Sequence, residues 1–470
     1  MLSTLKKDKE IHFIGIGGAG MSGLARVLLC RGYRVAGSDV KENFWTRKLS
    51  SMGGQIFLTH NENNISESCQ CLVISTAIRE NNPELVRARN LNIPVLHRSQ
   101  MLDLLVKEKQ LLTVAGTHGK TTTSSMLTAV YEKNGLDPMV FIGAELDEIQ
   151  GNAKDGLGPN AVIEADESDG SFLNYSPHSS IITNIDEDHL DFYGNYSRIQ
   201  DYFLKYIENH DRNGCVVLCG DDQGISELKE KIKKVAPKVY YYGLNDDNDF
   251  IIRDVCLDEQ PVSFDIYFGP EWLARISLLV PGLHNIYNAA AVFALSWIEH
   301  KVSPEQVVKT LSCFRGAQRR FQIKGEMNDI IIIDDYGHHP REIDVTVKTA
   351  VQFNKLRNGR LFVIFQPHRY SRTHYFLEEF SRSFKDVDFL YVMDIYSAGE
   401  ESIPDVNSRI LVDKIITQND RPRRTFYSKD HEGSVQNLYD SLLPGDTVLT
   451  IGAGDVYRVG EDIFDRLRIR

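Results

Sequence analysis

Residues 111–127 read LLTVAGTHGKTTTSSML, and this stretch sets the class of fold. An apolar, strand-like run enters Gly116-Thr117-His118-Gly119-Lys120-Thr121-Thr122. The residues that follow place Met126, Leu127 and Val130 on one side, the pattern of a helix. A strand that turns through glycines into a helix N-terminus aims its backbone N–H groups at an anion. Lys120 can reach the β- and γ-phosphates of a nucleotide such as ATP, and the Thr121 hydroxyl can ligate Mg²⁺. The loop is one or two residues tighter than the usual G-x-x-x-x-G-K-[ST] spacing.

Outward from this loop the same strand–helix rhythm runs in both directions. Upstream, IHFIGI, YRVAGSD, QIFLT, CLVIST and IPVLH alternate with helical stretches, which means a parallel sheet with crossover helices. The first of these strands enters FIGIGGAGMSG, residues 13–23, which fits G-x-G-x-x-G at Gly15, Gly17 and Gly20. Asp39 follows Gly20 by nineteen residues, the spacing of a dinucleotide fingerprint. Residues 13–39 alone would support an NAD-dependent oxidoreductase, but that reading leaves the second loop unexplained. Downstream of Thr121, AVIEAD, SIITNI and CVVLCG continue the parallel material, and SFDIYF and ARISLLV alternate as further strands. Pro281-Gly282 then breaks the chain, and Asn285 is positioned to cap the helix of NIYNAAAVFALSWIEH. A third unit follows FRGAQRRFQ, with strands in DIIIIDD, LFVIFQPH, FLYVMDI, RTFYS and TVLTIGAG.

A chain of 470 residues holds about three domains. The expected boundaries are 1–107, 108–318 and 319–470. A composition 42% hydrophobic and 25% charged is that of a soluble globular protein. The net charge of -12 argues against a general nucleic-acid binder while leaving room for local basic pockets. No apolar run approaches a membrane span, and MLSTLKKDKE leads straight into the first strand without a signal-peptide core. Seven cysteines, none in a C-x-x-C pair, read as reduced thiols. A cytoplasmic protein with no membrane partner, monomeric or weakly dimeric, is expected.

Chemistry should gather at the carboxyl ends of the strands. Glu164 ends one strand, with Asp166, Glu167 and Asp169 beyond it, the usual place for a metal-holding acid in a phosphoryl-transfer site. The neighbouring SSIITNIDEDHLDFYG delivers Asn184, Asp186, Asp188 and His189. In the third unit IIIIDDYGHHP runs into Asp335, Tyr336, His338 and His339. A second strand there delivers His368, Arg369 and Arg372, two arginines placed to grip a carboxylate. Arg319 and Arg320 sit at the junction before it, either as a surface pair or as part of a phosphate clamp. Zinc is not expected at the adjacent His338 and His339, which lack a nearby cysteine.

As a set, GIGGAGMSG, GTHGKTTT, EADESD, DEDHLD, PGLHNIYNA, DDYGHHP, FQPHRYSRT and IGAGDV resemble the Mur ligase family, within it the members that add L-alanine to UDP-N-acetylmuramate in peptidoglycan synthesis. The resemblance implies three α/β domains: an N-terminal Rossmann-like domain, a central P-loop ATPase-like parallel sheet with extra antiparallel strands, and a C-terminal Rossmann-like domain. The first glycine loop, Gly15, Gly17, Gly18, Ala19, Gly20, Met21 and Ser22, would hold the pyrophosphate of a UDP-sugar and not NAD. Asp39 would meet the uridine end, with Ser75, Thr76 and Arg98 as further contacts. The second loop would hold ATP, with Asn285 and Asn288 on the adenine side and Arg319, Arg320 and Asp335 added on domain closure. Mg²⁺ would rest on Thr121 and Glu164, and a second ion near Glu164 and His189. Tyr336, His338, Arg369 and Arg372 would shape the L-alanine pocket, and Lys120, Glu164, His189, His338 and Arg369 would carry the catalysis. Several sister ligases bridge the second metal with a carbamylated lysine. Its position falls at Phe203 here, so this chain is expected to do without one and to leave Lys205 in solvent.

Overall fold

Five apolar runs near the N-terminus form five strands: β1 (Glu10–Ile14), β2 (Arg34–Ser38), β3 (Gln55–Phe57), β4 (Cys69–Ile74) and β5 (Val95–His97). The structure is a computed structural model and describes residues 5–299, 301–429 and 431–469. These strands make a wholly parallel sheet in the order β3-β2-β1-β4-β5. Ile11, Phe13, Leu72 and Val73 are fully buried in it, and the crossover helix Ala19–Cys30 lays Leu24, Val27 and Leu28 onto it. The order reverses between β1 and β4, so the crevice for a ligand opens over the loop after β1.

Ten strands form the second sheet: β6 (Gln110–Ala115), β7 (Met139–Leu146), β8 (Gly151–Lys154), β9 (Asn160–Glu164), β10 (Ser179–Ile182), β11 (Val216–Cys219), β12 (Val239–Gly243), β13 (Phe250–Cys256), β14 (Val262–Phe268) and β15 (Glu271–Leu278). Their order is β15-β14-β13-β12-β11-β10-β6-β9-β7-β8. Strand β6 pairs in parallel with β9 on one side and β10 on the other, whereas β7 and β8 are antiparallel. The loops after β6, β9 and β10 therefore emerge side by side.

The third sheet holds β16 (Gln322–Met327), β17 (Ile330–Asp335), β18 (Leu361–Phe365), β19 (Phe389–Met393), β20 (Arg424–Ser428) and β21 (Thr447–Ile451), in the order β16-β17-β21-β18-β19-β20. Ile331, Ile333, Val363 and Leu449 pack on one face, and Ile330, Ile332, Phe362 and Val448 on the other. Burial on both faces explains the unbroken isoleucine run of β17. The first sheet and most of the second belong to one compact unit, and the third sheet to another.

Two local expectations change. The helix Leu283–Glu299 begins before Asn285, so Asn285 lies in its first turn and is not its cap; the amide Nδ2 donates to Pro281 O at 2.7 Å. Strands β7, β8, β12, β13 and β16 are additions to those expected. β8 (GNAK) and β16 (QIKGEM) carry too few apolar residues to declare themselves, because each runs along an edge of its sheet. No described helix is long and apolar enough to cross a membrane.

Candidate functional site

The loop after β6 is held open by glycine. A Cβ at Gly116, where φ is 129°, would fall 2.1 Å from Thr183 Oγ1, and one at Gly119, where φ is 83°, 3.0 Å from Asn288 Oδ1. Asn184, from the loop after β10, locks the turn: its Oδ1 accepts from His118 N at 2.8 Å and its Nδ2 donates to His118 O at 2.9 Å. The helix Lys120–Lys133 then starts with no side chain capping Gly119, and Gly18 likewise leaves the helix Ala19–Cys30 uncapped. Asn43, Asn82, Asp222 and Asn407, by contrast, cap their helices with side chains. Both glycine loops thus end in helix N-termini that no side chain caps, a geometry that suits an anion.

Around the second loop the charges interlock. Lys120 Nζ donates to Gly116 O, Thr117 O and Glu167 Oε1 at 2.7, 3.0 and 2.9 Å. Burial pulls this ammonium towards neutrality, but Glu167, Asp166 and Glu164 prevail and its pKa is raised. Thr121 Oγ1 donates to Glu164 Oε1 at 2.9 Å, and Gly143 N donates to Glu164 Oε2 at 2.7 Å. A Cβ at Gly143 would stand 2.7 Å from both Glu164 oxygens and 2.9 Å from Thr121 Oγ1, so the space over this pair stays open only because residue 143 is glycine. Hydroxyl and carboxylate oxygens facing an open space suit Mg²⁺, which keeps several waters of its own. Thr122 is half-exposed one residue on. His189 projects from the loop after β10 with φ 51°, its Nε2 3.9 Å from Glu167 Oε1 and 3.7 Å from Asp188 Oδ2. The acids beside His189 are thus Asp188 and Glu167, the latter marked by the sequence as part of the cluster without a role of its own.

At the first loop, Gly17 N donates to Asp39 Oδ2 at 2.9 Å, and a Cβ at Gly17 would meet Asn43 Nδ2 at 2.7 Å and that same carboxylate oxygen at 2.9 Å. Met21 and Ser22 turn their side chains inward, so they offer a ligand only their backbone. Ser75 and Thr76 directly follow β4, across the crevice. Arg98 joins the two loops. Its Nη2 pairs with Asp166 Oδ2 at 2.9 Å, while its Nη1 lies 3.6 Å from where a Cβ of Gly20 would be. Burial opposes the charge on Asp166, but Lys120 and Arg98 hold its pKa below the ordinary value.

The remaining expected residues lie in the other unit, except Asn288. Arg319 is spent internally: Nε donates to Asp334 Oδ2 at 3.0 Å, Nη2 donates to Gly452 O at 2.7 Å, and the guanidinium stacks on Tyr336 and Tyr457. Asp335 accepts from Phe321 N and Gly337 N, both at 2.7 Å, and its burial raises its pKa. Arg320 reaches Glu342 at 3.6 Å and lies over Tyr336. Tyr336, His338, His368 and Arg372 cluster at the ends of β17 and β18, with the two imidazoles 5.8 Å apart and Arg372 Nη1 3.2 Å from His368 Nδ1. Burial, against Glu342, brings His338 down to about 4; burial, with His338 and Arg372 beside it, brings His368 to about 3. Both rings are therefore neutral at pH 7. Arg369, with φ 72°, is half-exposed and 3.9 Å from Glu400. Positive φ at His189, Arg319 and Arg369 is backbone strain of the kind that gathers at functional sites. The sequence marked His368 and Asn184 only as strand-end residues; their partners, Arg372 for the first and His118 for the second, come from the fold.

Known proteins match along almost the whole chain. The profile described as "Mur ligase family, catalytic domain" matches residues 10–110, "Mur ligase middle domain" residues 114–296, and "Mur ligase, glutamate ligase domain" residues 319–454. The chain is 42% identical over 460 residues to a UDP-N-acetylmuramate–L-alanine ligase of Carboxydothermus hydrogenoformans, covering 97% of this chain and 96% of that one. It is 44% identical over 463 residues to the same-named enzyme of Dictyoglomus turgidum, covering 98% and 97%. Among solved structures, UDP-N-acetylmuramate-alanine ligase from Thermotoga maritima superposes with a TM-score of 0.81 at 30% identity over 98% of this chain and 99% of that one. A murein peptide ligase from Psychrobacter arcticus shares the fold at TM-score 0.71 and 22% identity, over 98% of each chain.

Proposed function

The chain belongs to the Mur ligase family, and we propose that it joins L-alanine to the lactyl carboxylate of UDP-N-acetylmuramate while ATP becomes ADP and phosphate. The observation that carries this reading is Arg98, one guanidinium set between the start of the first glycine loop's helix and Asp166 beside Lys120. A sugar nucleotide on one loop and a triphosphate on the other would then meet across that arginine. An oxidoreductase has no use for this juxtaposition.

In this reading the lactyl carboxylate attacks the γ-phosphorus to form an acyl phosphate, and ADP departs. The L-alanine amine then attacks the acyl carbon, and phosphate leaves as the C–O bond breaks. Several anions must approach one another, so fixed positive charge is the main requirement. Lys120, kept charged by its acids, moves from Gly116 O and Thr117 O to the β- and γ-phosphates. Thr121 and Glu164 would hold Mg²⁺, and His189 with the acids beside it would hold a second ion; when bound, these ions supply further positive charge against the triphosphate. Asn288 and Asn285 serve the adenine side. Arg320 is the better phosphate contact of the arginine pair, since Arg319 and Asp335 fasten the chain before β16 to the end of β17. Arg369 and Arg372 take the carboxylate of L-alanine beside the neutral rings of His338 and His368. In this reading the work is done in the cytoplasm, where ATP is available.

A coupled phosphate-release assay tests this with UDP-N-acetylmuramate and a panel of amino acids. Release should require the sugar nucleotide, ATP, Mg²⁺ and L-alanine together. Equal release without an amino acid would refute the ligase reading.

A further inference from the structure

A buried polar network lies behind the first glycine loop, and nothing in the mechanism above uses it. Its centre is Glu84, in the first turn of the helix Pro83–Asn90 and wholly buried. Four donors converge on its carboxylate. Ser38 Oγ donates to Oε2 at 2.6 Å and His12 Nε2 lies 3.0 Å from the same oxygen; Asn64 Nδ2 and Asn61 N donate to Oε1 at 2.6 and 3.2 Å. Burial pushes this carboxyl up, but the hydrogen bonds from His12, Ser38 and Asn64 hold it below the ordinary value, so it stays ionised and only accepts.

That has a consequence one step outward. Ser38 has a single hydroxyl hydrogen, and Glu84 takes it. Ser38 Oγ is also 2.9 Å from His60 Nδ1, so at that contact His60 must be the donor. Its hydrogen is therefore on Nδ1, and in the neutral ring, which is 23% exposed, Nε2 is the lone-pair acceptor. His60 follows the end of β3 by three residues, and Ser38 ends β2 immediately before Asp39. The sheet order β3-β2-β1-β4-β5 fixes what meets it. With the pyrophosphate over the loop after β1 and the sugar carboxylate near Arg98, on the β5 side, the nucleoside extends towards β2 and β3. Exposed Val40 and Leu58 flank that edge and offer apolar surface to a pyrimidine ring.

We propose that His60 Nε2 accepts a hydrogen bond from the nucleoside half of the UDP-sugar, and that Glu84, acting through Ser38, is the positioning residue that sets the required tautomer. The inference rests on the function proposed above. The donor is a ribose hydroxyl or the uracil N3–H.

Glu84→Gln reverses the chain of donors. The Gln oxygen must face Asn61 N and Asn64 Nδ2, so its NH₂ faces Ser38, which then donates to His60 and moves the imidazole hydrogen to Nε2. Titration calorimetry with UDP on the whole protein reads the result. Glu84→Gln and His60→Ala should each weaken UDP by about tenfold, the worth of one hydrogen bond. His60→Gln, whose amide oxygen replaces the Nε2 acceptor, should stay within about threefold of wild type, and adding Glu84→Gln to it should cost nothing further. KM for ATP should not move. Labelled-histidine NMR should show His60 protonated on Nδ1 in the wild type and on Nε2 in Glu84→Gln. Of 2′-deoxy-, 3′-deoxy- and 3-methyl-UDP, the analogue that loses affinity for wild type but not for His60→Ala identifies the donor. Equal UDP binding by wild type and His60→Ala overturns the proposal, as does a switched tautomer without loss of affinity. Should Glu84→Gln fail to fold, the His60 pair decides alone. If wild type binds neither UDP nor UDP-N-acetylmuramate, the function proposed for this domain fails instead.

Discussion

The ammonium of Lys120 is held by Gly116 O, Thr117 O and Glu167, and the proposed function turns that charge to the phosphates of ATP. Lys120→Ala should lower turnover about a hundredfold or more while leaving UDP affinity unchanged, as single-turnover kinetics and calorimetry would show. Turnover within about threefold of wild type would sink the assignment. Arg372 tests the amino-acid side. A lysine cannot reproduce its planar fork, so Arg372→Lys should raise KM for L-alanine well above any change in KM for ATP. A third prediction concerns a histidine outside the site. His210 is buried, with Nε2 2.7 Å from Ser180 Oγ, and burial lowers its pKa from 6.5 to about 4. Between those pH values the unfolded chain binds a proton that the folded chain refuses. Stability should therefore be flat above pH 6.5 and fall towards pH 4, by about 3 kcal/mol from this group. Urea midpoints at pH 7.5 and 4.5 should differ less in His210→Gln than in wild type.

Elements explain which motifs were informative. The loops after β1 and β6 have glycines that leave helix N-termini open. IGAG after β21 looks like a third such loop, but a Cβ at Gly454 would lie 2.2 Å from Gln366 Oε1, which accepts from Val456 N at 3.1 Å. There the glycines admit the protein's own Gln366, and sequence cannot tell the two uses apart. The helix Tyr196–Glu208 makes the opposite case. Phe203 is fully buried against Phe172, and Lys205 is exposed beside the Tyr202 ring. Lys205→Met should cost under about tenfold in rate and no bicarbonate dependence should appear. Phe203→Ala should instead cost about 3–5 kcal/mol of stability.

At the scale of the whole molecule, the chain carries a net charge of -12, so the anionic substrates proposed for it need local cations such as Lys120 and Arg98. Two nucleotide loops on two sheets make ligand binding a stability test. UDP-N-acetylmuramate at a hundred times its Kd should add about 2.7 kcal/mol and raise Tm, whereas NAD should leave it unchanged. Gly17→Val should abolish the shift, because a side chain there meets Asn43 and Asp39. A shift with NAD would restore the dehydrogenase reading of residues 13–39.

Strand rhythm, the two glycine loops and the acids at strand ends were legible because each depends on neighbours within a few residues. Period, turn chemistry and helix-terminus geometry are local physics. The roles of Glu167, Asn184 and Glu84, and the pairing of Arg98 with Asp166, were not legible, since each follows from which strands lie side by side. β6 lies between β9 and β10, so three loops distant in sequence emerge side by side. Glu84 is an ordinary residue in the first turn of a helix until folding sets Ser38 and His12 against it. Edge strands β8 and β16 escaped for the same reason: backbone pairing with a neighbour holds them, and pairing leaves no mark on side-chain pattern. Chain-local energetics wrote the elements, and non-local burial and hydrogen bonding decided which residues act together.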